Sequence, residues 1–575
     1  LDFEALGTRF TLNNTLSLGA AIRVSDQDPN LIAIANQTAD GQAGRLFSNN
    51  SDDGNLNFER GDLISGAVKL SSELSAYWGG VGLFVRGSYL FDPVLNDLNY
   101  FDPADYAGAP TRNASPEDLA RKRDAVSGRL GNDADLLDAY LFGDIEVGSR
   151  ILGWRVGRQV LNWGESTLVQ NGLNSLISAD ASQLRVPGFQ LEEVFVPVGM
   201  AVFNLDLTLN TSMEAFYQFE WRATEPDPVG SFFSTNDFVA HGGQLAEIGF
   251  GRCPEHSAPG QCAAALGGSS IPRGSDRKPD DGGQFGVSVR SFIEAMGGTE
   301  IAFYAANIHS RLPLISGNAT LAGFEGVAGT AQFFIEYPED IKLYGISFNT
   351  SLPFGGLAMQ GEYSLKQDQP LQIDEVETLL AGQRLPLPSQ LGPFAPSEYI
   401  QAWRRFDVSQ VDLSVSRIAG PMRWNGADQG LFLLEAAASL VHDLPDTDEL
   451  RFEGPNTVRP GDPFVAAVVG VPVQNTGYAE DFSWGYRALA RLTYNSVFNI
   501  LTMEPTLVFA HDVNGTSPTP ILNFIEHRRE LRALVDVTYL QNWQFRLAYT
   551  NYFGGREFNA LSDRDNVSLA VSYSF

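Results

Sequence analysis

The chain has 575 residues, a formal net charge of −30, 19% charged and 43% hydrophobic residues, and a mean hydropathy of −0.11. That acidic balance excludes nucleic acid as a partner, which needs a basic footprint. It also lacks any run of about 18 apolar residues that could cross a membrane as a helix, since the nearest, "PFVAAVVGVPV" (Pro463 to Val473), is short and broken by prolines and a glycine.

The chain starts "LDFEALG", without Met or leader, and reads as a processed, secreted form. From there one pattern recurs. "TLSLGAAIRV" sets Leu16, Leu18, Ala20, Ile22 and Val24 against Ser17 and Arg23. "AVKLSSELSAYW" sets Val68, Leu70, Leu74 and Trp78 against Lys69, Ser71, Glu73 and Ser75. "LAMQGEYSLK", "WGYRALARLTY" and "WQFRLAYT" repeat it further on, and the chain ends "NVSLAVSYSF" with Val567, Leu569, Val571, Tyr573 and Phe575 on one face. Period two is the strand signal, and helical spacing fails in these windows.

Tight links at Gly79-Gly80, Asn210-Thr211, Gly297-Gly298 and Gln541-Asn542 alternate with long excursions, roughly 25–66, 94–133, 165–197, 225–283, 312–330, 371–402 and 446–480. The fold expected is all-β: a transmembrane antiparallel β-barrel of about 18 strands (range about 16 to 20), with short periplasmic turns and long extracellular loops. Closure satisfies every backbone group, as lipid demands. The whole chain, 1–575, reads as one domain of a Gram-negative outer membrane, in contact with its lipid and lipopolysaccharide. The terminal "VSLAVSYSF" resembles the C-terminal signal by which such barrels reach their assembly machinery.

The polar strand faces carry Arg23, Arg86, Arg155, Arg290, Arg487, Arg491, Arg532 and Arg546, with Glu73, Asp138, Asp144, Glu146, Asp206, Glu214, Glu220, Glu362, Glu504 and Asp536. These are expected to line the lumen, chiefly as salt bridges bracing a wide barrel. Two strands break parity. In "ILGWRVGRQVLNWGES" a regular strand would turn Arg158 to lipid, so either a bulge at Gly157 returns it to the lumen or it lies at the outer headgroup level. "WRRFDVSQVDLSVSR" changes parity near Val408.

Cys253 and Cys262, in the Pro/Gly-rich "RCPEHSAPGQC" of the long 225–283 loop, are expected to form a disulfide, two free thiols being the alternative. "NNSDDGN" (Asn49 to Asn55) and "SDRDN" (Ser562 to Asn566) read as solvated acidic loop tips, with calcium binding or bridging of lipopolysaccharide through divalent cations as the alternative. Other loops are unexpectedly apolar: Phe232, Phe233 and Phe238; Leu385, Leu387, Leu391 and Phe394; Val468 and Val469. Such loops must fold into the barrel mouth or meet a partner or a greasy ligand. None of the histidines (His241, His256, His309, His442, His511, His527) lies in a paired metal spacing, and there is no nucleophile elbow or phosphate loop, so neither catalysis nor a cofactor or metal is expected.

The most distinctive segment is "GRQVLNWGESTLVQNGLNSLISADASQLRVPGFQLEEVFVPVG" (Gly157 to Gly199). It is similar to a large Gram-negative outer-membrane family catalogued as a conserved domain of unknown function, over nearly the whole chain. Genes of that family often accompany a LolB-like protein and a resistance-nodulation-division transporter. The resemblance implies movement of a hydrophobic or lipid-like small molecule, with those proteins as partners. A porin for polar solutes and a barrel docking a periplasmic protein are the alternatives, and either a monomer or a trimer is compatible. On the residues themselves, Arg158, Asn162, Trp163, Glu165, Ser166, Asn171, Asn174, Asp180 and the Pro187-Gly188 turn suit a strand end passing into an inward-folded plug over 165–197, the alternative being an ordinary extracellular loop.

Overall fold

The computed structural model describes residues 2–5, 7–101, 116–252, 270–326, 328–353 and 355–575. The proposed Cys253–Cys262 pair lies outside the described residues. The main sheet has 20 strands; two short ones, Asp2–Ala5 and Leu63–Ser65, lie along the first long strand, and the remaining 18 form a closed wall. In chain order they are β1 (Thr8–Arg23), β2 (Val68–Trp78), β3 (Val81–Phe91), β4 (Asn132–Val147), β5 (Arg150–Gln159), β6 (Val198–Asp206), β7 (Thr211–Gln218), β8 (Gln284–Ile293) and β9 (Thr299–Ile308). They continue as β10 (Ile341–Ser351), β11 (Leu357–Gln372), β12 (Trp403–Ala419), β13 (Gln429–Val441), β14 (Phe482–Val497), β15 (Leu501–Asn514), β16 (Arg529–Tyr539), β17 (Trp543–Phe553) and β18 (Asn566–Ser574).

Each strand pairs antiparallel with the next, and β18 returns to β1 from Thr15↔Ser574 to Arg23↔Asn566. Phe575 finishes the seam, exchanging backbone hydrogen bonds of 3.0 and 2.9 Å with Asn14. Inside the seam Ser17 Oγ and Ser572 Oγ lie 2.8 Å apart, while Leu16, Leu18 and Leu569 point out and stay exposed. The same alternation runs around the wall, through Phe285, Phe303, Val411, Leu434, Leu507 and Leu547. A closed sheet wearing a continuous apolar belt is a membrane-spanning barrel, because water would penalise the belt and lipid would penalise an open edge. Among the described residues no helix is long and apolar enough to cross a membrane.

The belt gives a first prediction. Leu547, 53% exposed, sits between inward-facing residues of β17, one of which, Arg546, pairs with Asp536 at 2.7 Å. Leu547→Arg moves a charge into lipid and is expected to destabilise the barrel by about 2–4 kcal/mol, read by urea titration of protein refolded into vesicles. An unchanged midpoint would remove Leu547 from the lipid face.

Of the two parity breaks, one is a bulge. Lys366 pairs with Val408 and Gln369 with Phe406, so Gln367 and Asp368 of β11 stand against the single Asp407 next to Val408, and Asp368 takes φ 61°. At Gly157 there is no bulge: β5 stays in register with both neighbours. Arg158 instead lies one residue from the outer end of β5, with Glu220 3.6 Å from its guanidinium.

The connections sort into two ends. Short turns and both described termini share one end, and the long excursions build a cap at the other. The apolar loop residues mostly close that cap on itself. Phe232 and Phe238 are each 2% exposed, and Phe232 meets Phe58 edge-on at 5.6 Å. "PFVAAVVGVPV" becomes a short helix, Pro463–Val469, whose Asp462 accepts the Val465 N–H at 2.9 Å. Its Val465, Ala466 and Val469 are buried, while Phe464 and Val468 stay exposed. Phe233, Leu387 and Phe394 are half-buried.

The acidic tips are a correction. Asp52, Asp53, Asn55 and Asp563 are buried, not solvated, and the two motifs meet: Asn55 Nδ2 donates to Asp563 at 2.7 Å and Arg564 to Asn55 Oδ1 at 2.7 Å. The physical reason is charge pairing from other segments, with Arg23 2.9 Å from Asp563 and Lys122 2.7 Å from Asp53.

Candidate functional site

The chain between β5 and β6, residues 160–197, turns into the barrel. Trp163 anchors it, 1% exposed and packed against Phe216 and Tyr304 with ring centroids 5.2 and 5.4 Å away, and its indole N–H donates to Glu214 at 2.7 Å. Two wall carboxylates then receive the backbone. Glu362 on β11 accepts from the amides of Glu165 (2.6 Å), Ser166 (3.0 Å) and Leu173 (2.9 Å). Glu435 on β13 accepts from the amides of Thr167 (3.0 Å), Leu168 (2.9 Å) and Val169 (2.8 Å) and from the Ser166 hydroxyl (3.1 Å). Backbone N–H groups aimed at a carboxylate form charge-assisted hydrogen bonds, roughly twice as strong as neutral ones.

Gly164 permits this approach: a Cβ there would collide with Glu362. Asn174 braces the turn, accepting from Gly172 at 3.1 Å and donating to Val169 O at 3.1 Å. Asn171 reaches out to Ile521 O (3.0 Å) and Asn523 (2.9 Å). Asn162 is exposed. Asp180 accepts from Ser182 N at 2.9 Å and lies 3.5 Å from Arg129.

The segment then reaches the seam on the other side of the barrel. Pro187 and Gly188 press on β1 and β18: a Cβ added at Gly19 would stand 2.6 Å from Pro187 Cβ, and one at Gly188 would stand 3.3 Å from Ala570 Cβ. Arg185 donates to the Tyr552 hydroxyl at 3.2 Å, Arg532 stacks over Phe189 at 5.8 Å, and Glu193 makes a buried ion pair with Lys69 on β2.

Cavities lie on both sides of this segment. One of about 910 Å³ faces the cap, bordered by Arg129, Asp180, Glu193, Glu225, His241 and Lys278. Another of about 610 Å³ faces the turn end, bordered by Asn13, Ser71, Glu73, Glu192, Gln544 and Arg546. A third, about 180 Å³, shares Gly188, Phe189, Arg546 and Ala570 with the second and adds Arg185, Arg532 and Tyr552. Together the last two trace a polar path along the seam wall past the Pro187-Gly188 turn.

The other residues expected in the lumen are mostly ion-paired. Arg86 engages Glu73 (2.8 Å) and Asp138 (3.2 Å), Arg290 Glu300 (3.3 Å), and Arg487 Asp512 (2.7 Å), while Arg491 donates to Thr506 (3.2 Å). Arg155 is half-buried, and Asp144 and Asp206 are exposed. Arg23 is 0% exposed and sits in the cap junction, so it does not line open water. Sequence reading missed Glu435, although a single carboxylate in the apolar run "LFLLEAAASLV" was a visible signal.

In the cap, Asp52, Asp53 and Asp237 bring carboxylate oxygens within 4.8 Å of one another. That is an oxygen set a hard divalent cation takes, but Lys122 already stands beside Asp53. A second acidic group follows β11. Burial, then Glu377, pushes Asp374 up to about 7, and burial with Asp374 pushes Glu375 up to about 8. Burial and then Asp53 lift Asp52 to about 6. Carboxyls raised in the fold hold protons that the unfolded chain releases, so folding stability falls as pH rises from the ordinary carboxylate range through about 8. Loops 24–67 and 373–402 are therefore expected to be cut by protease several-fold faster at the alkaline end of that window, and equal rates would contradict the assignment.

A family model described as "Protein of unknown function (DUF1302)" matches residues 1–575. No curated protein matches the sequence. Among solved structures, the chain is similar to OccAB3 of Acinetobacter baumannii, with 11% identity, coverage of 98% and 99% of the two chains, and a TM-score of 0.41. It is also similar to OccK1 of Pseudomonas aeruginosa (10%, 98% and 98%, 0.40) and to the outer membrane channel DcaP of A. baumannii (10%, 100% and 99%, 0.35). Each likeness is distant.

Proposed function

The chain belongs to the DUF1302 family of proteins of unknown function, and from that premise we propose an outer-membrane channel that passes a small amphiphilic solute through a lumen narrowed by its own internal segment. The observation that supports this reading most is the segment 160–197, fastened to the wall by Glu362 and Glu435 with a cavity on either side. A barrel that only anchored or scaffolded would have no use for a polar path beside a fixed constriction. Apolar surface at the mouth, in Phe464 and Val468, suits a solute with a hydrophobic part. The short-turn end is the face at which a LolB-like protein or a transporter of the resistance-nodulation-division class would dock.

A second reading, a porin for polar solutes, is favoured by the charged and amide lining of the passage, in Glu73, Glu192, Gln544 and Arg546. Vesicle permeation separates the two. The amphiphile reading expects small aromatic amphiphiles to enter protein-containing vesicles faster, relative to protein-free ones, than sugars of equal size. Equal enhancement for both would favour the porin, and no enhancement for either would overturn the channel.

A further inference from the structure

We propose that a cavity inside the cap, walled by Phe47, Phe250, Val376, Leu379 and Leu380, is a binding site for a small hydrophobic amine whose ammonium group lies against Glu375 and Glu453. The cavity measures about 210 Å³, room for a ring and a short chain, and the two carboxyls border it together with the apolar side chains. Ligand pockets of this type combine apolar walls with a few convergent polar groups.

Charge selects the ligand. Asp374, Glu375, Glu377 and Glu453 crowd one corner of the cap, and Arg451 is the cation that meets them, 2.8 Å from Glu377 and 3.9 Å from Asp374. Glu453 is occupied by the Glu375 amide at 2.7 Å and the Thr457 hydroxyl at 2.7 Å. The Glu375 side chain itself makes no hydrogen bond or ion pair among the described residues, although it borders the cavity. Glu375 is half-buried, and a carboxylate drawn partly out of water without a partner either keeps a proton or takes a cation. Burial, with Asp374 beside it, pushes Glu375 up to about 8, which favours the first solution; a ligand ammonium is the second. A bare metal ion would leave the phenylalanine and leucine walls without a partner, whereas an amine on an apolar frame satisfies both parts.

The site deepens the amphiphile reading but does not need transport. The test is calorimetric titration of the full chain, folded in detergent micelles, with phenethylamine and with 2-phenylethanol, which has the same frame and no charge. Saturable amine binding at least about tenfold tighter than the alcohol, with a tenfold or greater loss in Glu375→Gln, is expected; tenfold in affinity corresponds to about 1.4 kcal/mol. Heat-modifiable gel mobility verifies that the variant is folded, and if it is not, the amine-to-alcohol ratio of the unaltered protein decides. No saturable amine binding, equal binding of the two probes, or an unchanged folded Glu375→Gln would each overturn the site. Permeation measured without amine would still stand or fall separately.

Discussion

Replacing Glu362 and Glu435 together by alanine is expected to open the lumen: single-channel conductance in a planar bilayer should rise several-fold over the unaltered protein and become noisy. The two carboxylates accept six amide N–H bonds and one hydroxyl from residues 165–173. Hydrogen bonds to a charged group are worth about 1.5–3 kcal/mol each. Losing even two of them shifts the docked and undocked populations by more than about a hundredfold, since each 1.4 kcal/mol is tenfold. Trp163 would still hold the start of the segment through its packing against Phe216 and Tyr304. The freed part is thus expected to flicker, not to leave. Glutamine at both positions keeps the shape and weakens the acceptors, so it should fall between the two. Conductance unchanged in the double alanine variant, with the barrel folded, would mean that residues 164–173 do not limit the passage.

Arg23→Ala should be the most damaging single change in the cap. Arg23 is completely buried where β1 enters its first excursion. It donates to Asn55 Oδ1 (2.8 Å), Phe58 O (2.8 Å), Asp563 Oδ2 (2.9 Å), Asp563 O (3.0 Å) and Ser25 O (3.0 Å). One side chain therefore ties the 24–67 excursion to the 554–565 excursion across the seam. Breaking a buried pair by removing one partner costs about 3–5 kcal/mol, because the other charge is left uncompensated. The exposed pair Arg60–Asp26, at 3.2 Å, is the control. Arg60→Ala is expected to cost no more than about 1 kcal/mol. Protease accessibility of the two excursions, compared between the variants, reads the difference. Equal accessibility would remove Arg23 from its structural role.

The barrel was legible in the sequence because lipid on one side and water on the other impose period two, and nothing else in "TLSLGAAIRV" or "WQFRLAYT" competes with it. The positions of the tight turns followed from the same alternation. The cap was not legible, because its order comes from contacts between excursions far apart in the chain. "NNSDDGN" looks solvated until Arg23, Lys122 and Arg564 arrive from three other segments. "PFVAAVVGVPV" looks like exposed grease until Phe47 and Phe250 cover one side of it. The internal segment was half legible. Its own small and polar residues are conspicuous, but the groups that fasten it are single carboxylates on β11 and β13, whose importance shows only when the backbone of residues 165–173 is seen donating to them.

The turn at Pro187 and Gly188 rests on Gly19 of β1 and Ala570 of β18, the first and last strands of the wall, whose pairing closes the cylinder. The internal segment and the completed wall thus share one contact. With β1 and β18 apart, that turn would lose the floor they make together, while Glu362 and Glu435 would still hold residues 165–173. A substitution that loosens the β1–β18 seam is therefore expected to free this turn as well as weaken the wall.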